Sequence, residues 1–240
     1  MKDYPELPVT EAKAALQLIS SSDYSRAQKL LASALVTQSR SFEYHLKGSE
    51  SPLLVLDVTH FLNHRINTRL IDAIGEELAF MVANLQPDII LTAPSSGNIP
   101  SVAIAANLPS MPDIIYAPKG MPITIQDAYK TQSRSYTHGM SVPLVVAKDC
   151  LPPGSRVLIC DDFLDTGKTT TDLLAIIREA NAIPVGCVFV IEKPFLGRER
   201  VKQAGFRDDE IYSLVTIDSM RPGKLKLKGF NYWFSLVRQE

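Results

Sequence analysis

The sequence predicts an α/β protein with a mostly parallel central sheet and helices on both faces. Segments such as 88–92 and 184–192 are almost wholly apolar, whereas 68–85 and 169–182 carry apolar side chains at helical spacing. Strands that are buried on both faces are apolar throughout, and the connections between parallel strands are usually helices. Ligands of such sheets bind at the carboxyl ends of the strands, so the loops that follow strands are where a site is expected.

The strand and helix candidates alternate from residue 53 onward. The strand candidates are the short apolar runs at 53–58, 88–92, 113–117, 143–147, 156–160, 184–192 and 211–217. The helix candidates among them are 68–85, 101–108 and 169–182. This order predicts that all of these strands enter one layered domain.

The first 50 residues have a different pattern. Residues 12–19 and 24–35 are predicted to be two amphipathic helices, and Ser22 or Asp23 is predicted to cap the second. A turn-rich stretch follows at 48–52. We therefore divide the chain into a helical N-terminal extension, residues 1–50, and a main domain, residues 51–240.

Composition and charge exclude several classes of protein. The chain of 240 residues is 45% hydrophobic with a formal net charge of −1, so a real core is expected, and neither nucleic acid nor an anionic membrane is an expected partner. No apolar stretch has the roughly 20 residues that a membrane-spanning helix needs. The three cysteines have no metal-site or disulfide spacing, which indicates a reducing compartment, and the cytoplasm is the expected location.

The sharpest motif lies between residues 157 and 170. A buried strand runs into the acidic pair Asp161 and Asp162, and a short loop around Gly167 then opens a helix. Backbone N–H groups at such a loop point at one spot and bind a phosphate, and Gly167 leaves room for the phosphate to approach. A nucleoside-triphosphatase P-loop would need glycine where Asp162 stands, so that motif is excluded.

This segment resembles the signature of type I phosphoribosyltransferases, which bind phosphoribosyl pyrophosphate (PRPP). The resemblance implies that Asp161 and Asp162 are catalytic and contact the ribose. It implies that the 5′-phosphate is bound by Asp165, Thr166, Gly167, Lys168, Thr169 and Thr170. It also implies the type I phosphoribosyltransferase-like fold with a small hood, a homodimer, and Mg²⁺ that PRPP carries without a dedicated metal-binding residue.

Two further loops agree with that family. Ser95, Ser96 and Gly97 follow a strand and begin a helix, which makes a second anion-binding loop. They resemble the pyrophosphate loop, and Lys119 resembles the basic residue after the next strand.

The polar segment 120–141 is predicted to be a lid over the site. It has few aliphatic residues for its length, which favours a mobile loop. Within it, Arg134, Ser135 and Tyr136 resemble the flexible catalytic loop of the family. A plain surface hairpin is the alternative.

Two segments indicate which base is used. Residues 61–64 and 190–195 resemble bacterial xanthine phosphoribosyltransferases, and the resemblance implies that Leu56, Asn63 and Lys193 contact the base. Lysine donates to a ring carbonyl, and asparagine both donates and accepts. The alternatives are a salt-bridged surface lysine at 193 and a helix cap at Asn63.

The resulting hypothesis is a purine-salvage enzyme. It would transfer the ribose 5-phosphate of PRPP to a 6-oxopurine, xanthine first, giving the nucleoside monophosphate and pyrophosphate. One alternative is an enzyme for adenine or another base. The other is a PRPP-sensing transcriptional regulator with residues 1–50 as a DNA-binding head, but six Lys/Arg and six Asp/Glu leave that segment neutral.

Overall fold

A computed structural model describes residues 11–46, 48, 51–131 and 142–237 of the chain. In chain order the helices and strands are α1 (Ala12–Ser21), α2 (Arg26–Gln38), β1 (Arg40–Tyr44), β2 (Leu53–Asp57), α3 (Thr68–Val82), β3 (Ile89–Thr92), α4 (Asn98–Asn107), β4 (Asp113–Tyr116), β5 (Ala128–Lys130), β6 (Val145–Ala147), β7 (Arg156–Leu164), α5 (Lys168–Glu179), β8 (Ile183–Glu192), α6 (Gly197–Gln203), β9 (Ile211–Arg221), β10 (Lys224–Leu227) and β11 (Phe234–Ser235). A π-helical turn, Thr59–Asn63, lies between β2 and α3.

The central sheet has seven strands in the order β11-β10-β9-β8-β7-β3-β4. Strands β4, β3, β7, β8 and β9 are parallel, and β10 and β11 add an antiparallel edge. The predicted mostly parallel sheet is therefore confirmed. The prediction that β2 and β6 belong to this sheet was wrong, because β2 pairs with β1 and β6 pairs with β5 in separate antiparallel ribbons. Neither strand is buried along its whole length as β3 is, so each is completed by a local partner instead.

Helices cover both faces of the sheet, as predicted. Successive residues of β7 alternate between two core clusters, with Leu158 in one and Ile159 in the other. The first cluster contains the buried faces of α2, α3 and α4, and the second contains those of α5 and α6. Among the helices of the described residues, none combines the length and apolar character needed to span a bilayer.

The N-terminal helices pack on the domain. Helix α2 begins at Arg26 because Ser25 and Gln28 form a reciprocal capping box, so the predicted caps Ser22 and Asp23 were wrong. The amide of Gln28 also donates to the carbonyl of Leu214 on β9 at 2.9 Å. Strand β1 pairs with β2 across the proposed boundary at residue 50, which stays a proposal about domain division.

The two ends of the described chain meet. The hydroxyl of Tyr24 donates to the carbonyl of Lys228, and the N–H of Val237 donates to the carbonyl of Val36 at 3.1 Å. The N-terminal helices therefore pack against the β9–β11 edge of the sheet.

Candidate active site

The acidic pair lies near the carboxyl end of β7, because the strand continues to Leu164 rather than ending at Cys160 as predicted. Asp162 is 5% exposed, and its Oδ2 has no hydrogen-bond partner among the described residues. Its N–H donates to Oδ1 of Asp161 at 2.9 Å. Burial, and next the negative charge of Asp162, raise the pKa of Asp161 well above its usual value. A second negative charge beside Asp162 is therefore costly in the ligand-free protein, because little water is available to stabilise it.

Asp161→Asn is expected to stabilise the ligand-free protein at neutral pH. The pKa of Asp161 is higher in the folded protein than its value of 3.8 in the unfolded chain. Its contribution to the stability of the fold is therefore fully present below pH 3.8 and is lost as the pH rises through the folded-state pKa. Asparagine does not titrate, so the advantage of the variant should grow as the pH rises from the unfolded-state pKa of 3.8 through the raised folded-state pKa of Asp161. Urea unfolding across this range measures it, and a variant less stable than the wild type at about pH 8 would contradict the expectation.

The predicted phosphate loop leads into α5. Gly167 has φ +73°, and α5 begins directly after it at Lys168, so the free amides at the start of a 12-residue helix face the loop. The prediction that the missing side chain of Gly167 leaves room for the phosphate was wrong about where that room lies. A Cβ there would lie 2.7 Å from the carbonyl oxygen of Gly197, so that space faces α6. The ammonium of Lys168 binds Asp172 at 2.7 Å.

The other residues expected to bind the phosphate differ in exposure. Thr166 is exposed, Thr169 is half-buried, and Thr170 is buried. Thr166 can therefore meet a ligand directly, whereas Thr170 belongs to the packed face of α5.

The loop with Ser95, Ser96 and Gly97 connects β3 to α4, and β3 is the neighbour of β7 in the sheet. It therefore lies beside the acidic pair. A Cβ on Gly97 would lie 2.1 Å from Oγ1 of Thr92 and 3.0 Å from Oδ1 of Asp161. The peptide bond between Pro94 and Ser95 is cis. The two anion-binding loops thus flank one pair of carboxylates.

Gly97→Ala is expected to weaken PRPP binding. With φ −70° the backbone accepts alanine, but the methyl group would overlap the hydroxyl of Thr92 and push the loop away from Asp161. A loss of about 1–3 kcal/mol, the usual cost of overpacking, corresponds to roughly 5- to 160-fold in affinity. Calorimetry with PRPP measures the change.

A second variant tests the cause. Thr92→Ala alone should bind PRPP normally, and Thr92→Ala combined with Gly97→Ala should recover part of the loss, since the closest contact is removed. If Gly97→Ala bound PRPP as tightly as the wild type, the close approach would have no role in binding.

Lys119 follows β4 and is exposed, with its backbone bridged to Leu144. No hydrogen bond or ion pair joins its side chain to another described residue. The predicted lid is only partly described: within 120–131 the structure has β5, which pairs with β6. Arg134, Ser135 and Tyr136 lie outside the described residues.

Lys193 lies against the phosphate loop. Its side chain is 10% exposed, and its ammonium is 3.1 Å from Oδ2 of Asp165 and 4.4 Å from the ring centre of Phe163. Its N–H donates to the carbonyl of Leu164 at 2.9 Å. The lysine is thus salt-bridged, as the alternative expected, but its side chain is largely covered rather than on the surface. It also lines a cavity of about 270 Å³ with residues of β8, β9 and α6.

Asn63 and Leu56 lie on another element. Asn63 is exposed at the end of the π-helical turn, and Asn67 rather than Asn63 caps α3, so the cap alternative for Asn63 was wrong. Leu56 is buried in the core. Asp57 anchors the turn by accepting hydrogen bonds from Thr59. No hydrogen bond joins Asn63 to Lys193 within the described part of the chain.

A larger cavity of about 920 Å³ lies between β4 and the segment before β5. Residues within 122–127 of the predicted lid line part of it, but none of the residues expected to bind PRPP, pyrophosphate or the base does. We therefore locate the site from the acidic pair and its two loops, where the polar groups converge.

Sequence reasoning missed a buried ion pair beside Lys193. Glu192 is 7% exposed and binds Arg198 through two hydrogen bonds of 2.8 and 2.7 Å. Its signal was a carboxylate at the end of an apolar run, which requires a buried partner.

The described residues contain no group of three or more His, Cys, Asp or Glu side chains placed to hold a metal ion. The acidic pair fits a cation differently. The unpartnered Oδ2 of Asp162 beside the carboxylate of Asp161 suits Mg²⁺ that keeps substrate oxygens and water as its other ligands.

Known proteins share this sequence and fold. A family model described as the phosphoribosyl transferase domain matches residues 57–217. The xanthine phosphoribosyltransferase of Shouchella clausii is 39% identical over 183 residues, which cover 75% of this chain and 89% of that protein. The enzyme of the same name from Chloroflexus aurantiacus is 38% identical over 179 residues, covering 73% and 82%. The structure of adenine phosphoribosyltransferase from Leishmania donovani has a TM-score of 0.63 at 18% identity and covers 80% of each chain, a likeness of fold alone.

Proposed function

The chain belongs to the phosphoribosyltransferase family and has its type I fold, and from that premise we propose that it transfers the ribose 5-phosphate of PRPP to a 6-oxopurine, xanthine first. The products are the nucleoside monophosphate and pyrophosphate, as in purine salvage. One arrangement carries the proposal. A Cβ on Gly97, in one anion-binding loop, would lie 3.0 Å from Oδ1 of Asp161, and strand β7, which carries Asp161, leads into the other anion-binding loop at Gly167.

The reaction displaces pyrophosphate at the anomeric carbon, while the base nitrogen attacks from the opposite face. The amides of Ser95, Ser96 and Gly97 hold the leaving pyrophosphate, and the amides at the start of α5 hold the 5′-phosphate. Positive charge develops on the ribose in the transition state. Asp161 and Asp162 hold the ribose hydroxyls and stabilise that charge, most strongly where water is excluded.

Magnesium bound to PRPP neutralises charge on the leaving pyrophosphate. The residues that would hold its water shell are Asp161 and Asp162, whose carboxylates lie side by side. Fixing the two phosphate groups brings the reacting atoms together and supplies most of the remaining acceleration.

The choice of base rests on Lys193 and on the named relatives. Relatives that share 39% and 38% of their residues with this chain are xanthine phosphoribosyltransferases. Lys193 has three N–H donors, of which Asp165 takes one, so the others are free to meet ring carbonyls. Asn63 and Leu56 complete the base site in this proposal if β2 and its turn approach the base.

The packing of the N-terminal segment favours an enzyme over a DNA-binding regulator. Leu31 and Leu35 of α2 are buried in the main core, and β1 is paired with β2. Packing of residues 11–46 against this core disfavours a separate DNA-binding head, and the six Lys/Arg and six Asp/Glu of residues 1–50 leave no net basic charge for DNA.

Dimer formation and a cytoplasmic location are part of the proposal. Val102, Met111 and Tyr116 are 56%, 72% and 58% exposed on α4, the following loop and the edge strand β4, and we infer that a second copy covers these apolar side chains. The cysteines Cys150, Cys160 and Cys187 are all free thiols, which suits a reducing compartment.

The test is to incubate the protein with PRPP, magnesium and each of xanthine, guanine, hypoxanthine, adenine and orotate, and to measure pyrophosphate. Release with an oxopurine supports the proposal. No release with any base, together with retention on DNA at low salt, would favour the regulator.

A further inference from the structure

The pair of Glu192, which is buried, and Arg198, which is half-buried, lies outside the groups used above. Nε of Arg198 donates to Oε1 of Glu192 at 2.8 Å, and Nη2 donates to Oε2 at 2.7 Å. The hydroxyl of Ser213 on β9 also donates to Oε2, at 2.8 Å, and Nη1 of Arg198 donates to the carbonyl of Ile211 at 3.1 Å. The guanidinium thus ties the end of β8, the start of α6 and the start of β9 together.

Both members of the pair are sequence neighbours of the site. Glu192 directly precedes Lys193, which is expected to contact the base. Arg198 directly follows Gly197, whose missing side chain lets α6 lie against the phosphate loop. A Cβ on Gly197 would lie 2.3 Å from the carbonyl oxygen of Asp165, and one on Gly167 would lie 2.7 Å from the carbonyl oxygen of Gly197.

A contribution to stability alone does not explain this pair. Desolvation of a buried carboxylate and a half-buried guanidinium offsets much of their attraction, and apolar side chains of similar size are often as stable. A bidentate arginine and carboxylate instead fix distance and orientation, which a flexible lysine does not.

We propose that Arg198 is a positioning residue, which holds the base-side Lys193 and the phosphate loop 165–167 at a fixed spacing through Glu192 and Gly197. This role rests on the proposed function. It deepens that function because one side chain distant from the reacting atoms sets the geometry of both substrates.

Arg198→Met is expected to raise the KM for PRPP and the KM for the base by about 10-fold or more, since small displacements of positioning groups can cost roughly 10²-fold. Arg200→Met is the matched control. Arg200 is exposed on the same helix, and no ion pair joins its side chain to another described residue. It should keep both wild-type KM values. A variant that only unfolds part of the enzyme would lower the maximal rate and leave KM unchanged.

Arg198→Met also leaves Glu192 as a buried, unpaired charge, so loss of stability must be separated from loss of positioning. Adding Glu192→Gln removes that charge and should return the melting temperature toward the wild-type value. The double variant should keep its raised KM values. Their return to wild-type values together with the melting temperature would show that the pair acts on stability only.

Calorimetry with PRPP tests the inference apart from turnover. Wild-type protein and Arg200→Met should bind PRPP equally, and Arg198→Met should bind it about 10-fold more weakly, in line with the KM change above. Equal affinity for all three overturns the positioning role alone. A wild-type protein that binds no PRPP overturns both that role and the proposed function.

Discussion

Wild-type protein should use xanthine or another 6-oxopurine roughly 10⁴-fold more efficiently than adenine, because a site built to hydrogen-bond one group rejects an analogue that lacks it. Lys193 is the reason. Its side chain is 10% exposed, and its ammonium only donates hydrogen bonds. Adenine carries an amino group where a 6-oxopurine has a carbonyl, so bound adenine would bring a donor toward a donor.

Asp165 reduces the expected discrimination against adenine but does not abolish it. Its carboxylate accepts one hydrogen bond from Lys193 at 3.1 Å, so the lysine keeps one partner when the base offers none. The remaining donors would be desolvated without acceptors, at a cost of roughly 1–3 kcal/mol for each buried group and more for charged ones.

Lys193→Met should reduce kcat/KM for xanthine far more than it reduces PRPP affinity. Asp165 is 46% exposed, so losing its partner costs little. Lys202→Met is the matched control, since Lys202 lies on α6 and pairs with Glu199 and Asp208. The measurement is kcat/KM for xanthine, guanine, hypoxanthine and adenine with each protein. A wild type that used adenine better than any oxopurine would refute the base assignment and leave phosphoribosyl transfer intact.

Replacing both acids of the pair, Asp161→Asn with Asp162→Asn, should lower turnover by about 10²- to 10³-fold. The amides keep the shape and can still bind hydroxyls, but they lack the negative charge that stabilises the cationic ribose. Asp113→Asn is the control, because Asp113 is an exposed carboxylate at the opposite end of the sheet. Steady-state kinetics at saturating PRPP measures the loss.

Stability separates a catalytic from a structural role for these acids. If the acids were structural, replacing them should destabilise the protein. The Asp161→Asn variant is instead expected to be more stable than the wild type at neutral pH, because burial disfavours the ionised carboxylate. Slower turnover with a more stable fold would identify carboxylates that are retained for chemistry. Normal turnover in the double variant would falsify the assignment of the pair.

The sequence predicted the parts of the molecule whose patterns are local. Strands β3 and β8 are buried along nearly all of their length, so their apolar runs were sufficient. Strand β10, with the sequence Lys-Leu-Lys-Leu, was missed because its alternation covers only four residues. Strand β11 has only two residues and depends on β10 for its pairing.

The candidate site shows the same division. Asp161, Asp162 and the Gly167 loop are contiguous in sequence, and their motif predicted a strand end followed by a helix start, as the structure has it. The motif could not predict contacts between segments that are distant in sequence. The space of Gly167 faces Gly197, and Lys193 pairs with Asp165 across 28 positions, both of which depend on how β8 and α6 return to the loop.

The meeting of the chain ends constrains how the protein folds during synthesis. Tyr24 binds Lys228 across 204 positions, so α1 and α2 leave the ribosome long before their partners on β9 and β10 exist. Contacts at such separation slow folding, since loop-closure entropy must be overcome before they form. The part of α2 that packs on β9 therefore stays uncovered until that strand is made, although α1 and α3 also pack on α2, and the nascent chain is more exposed to aggregation in that interval.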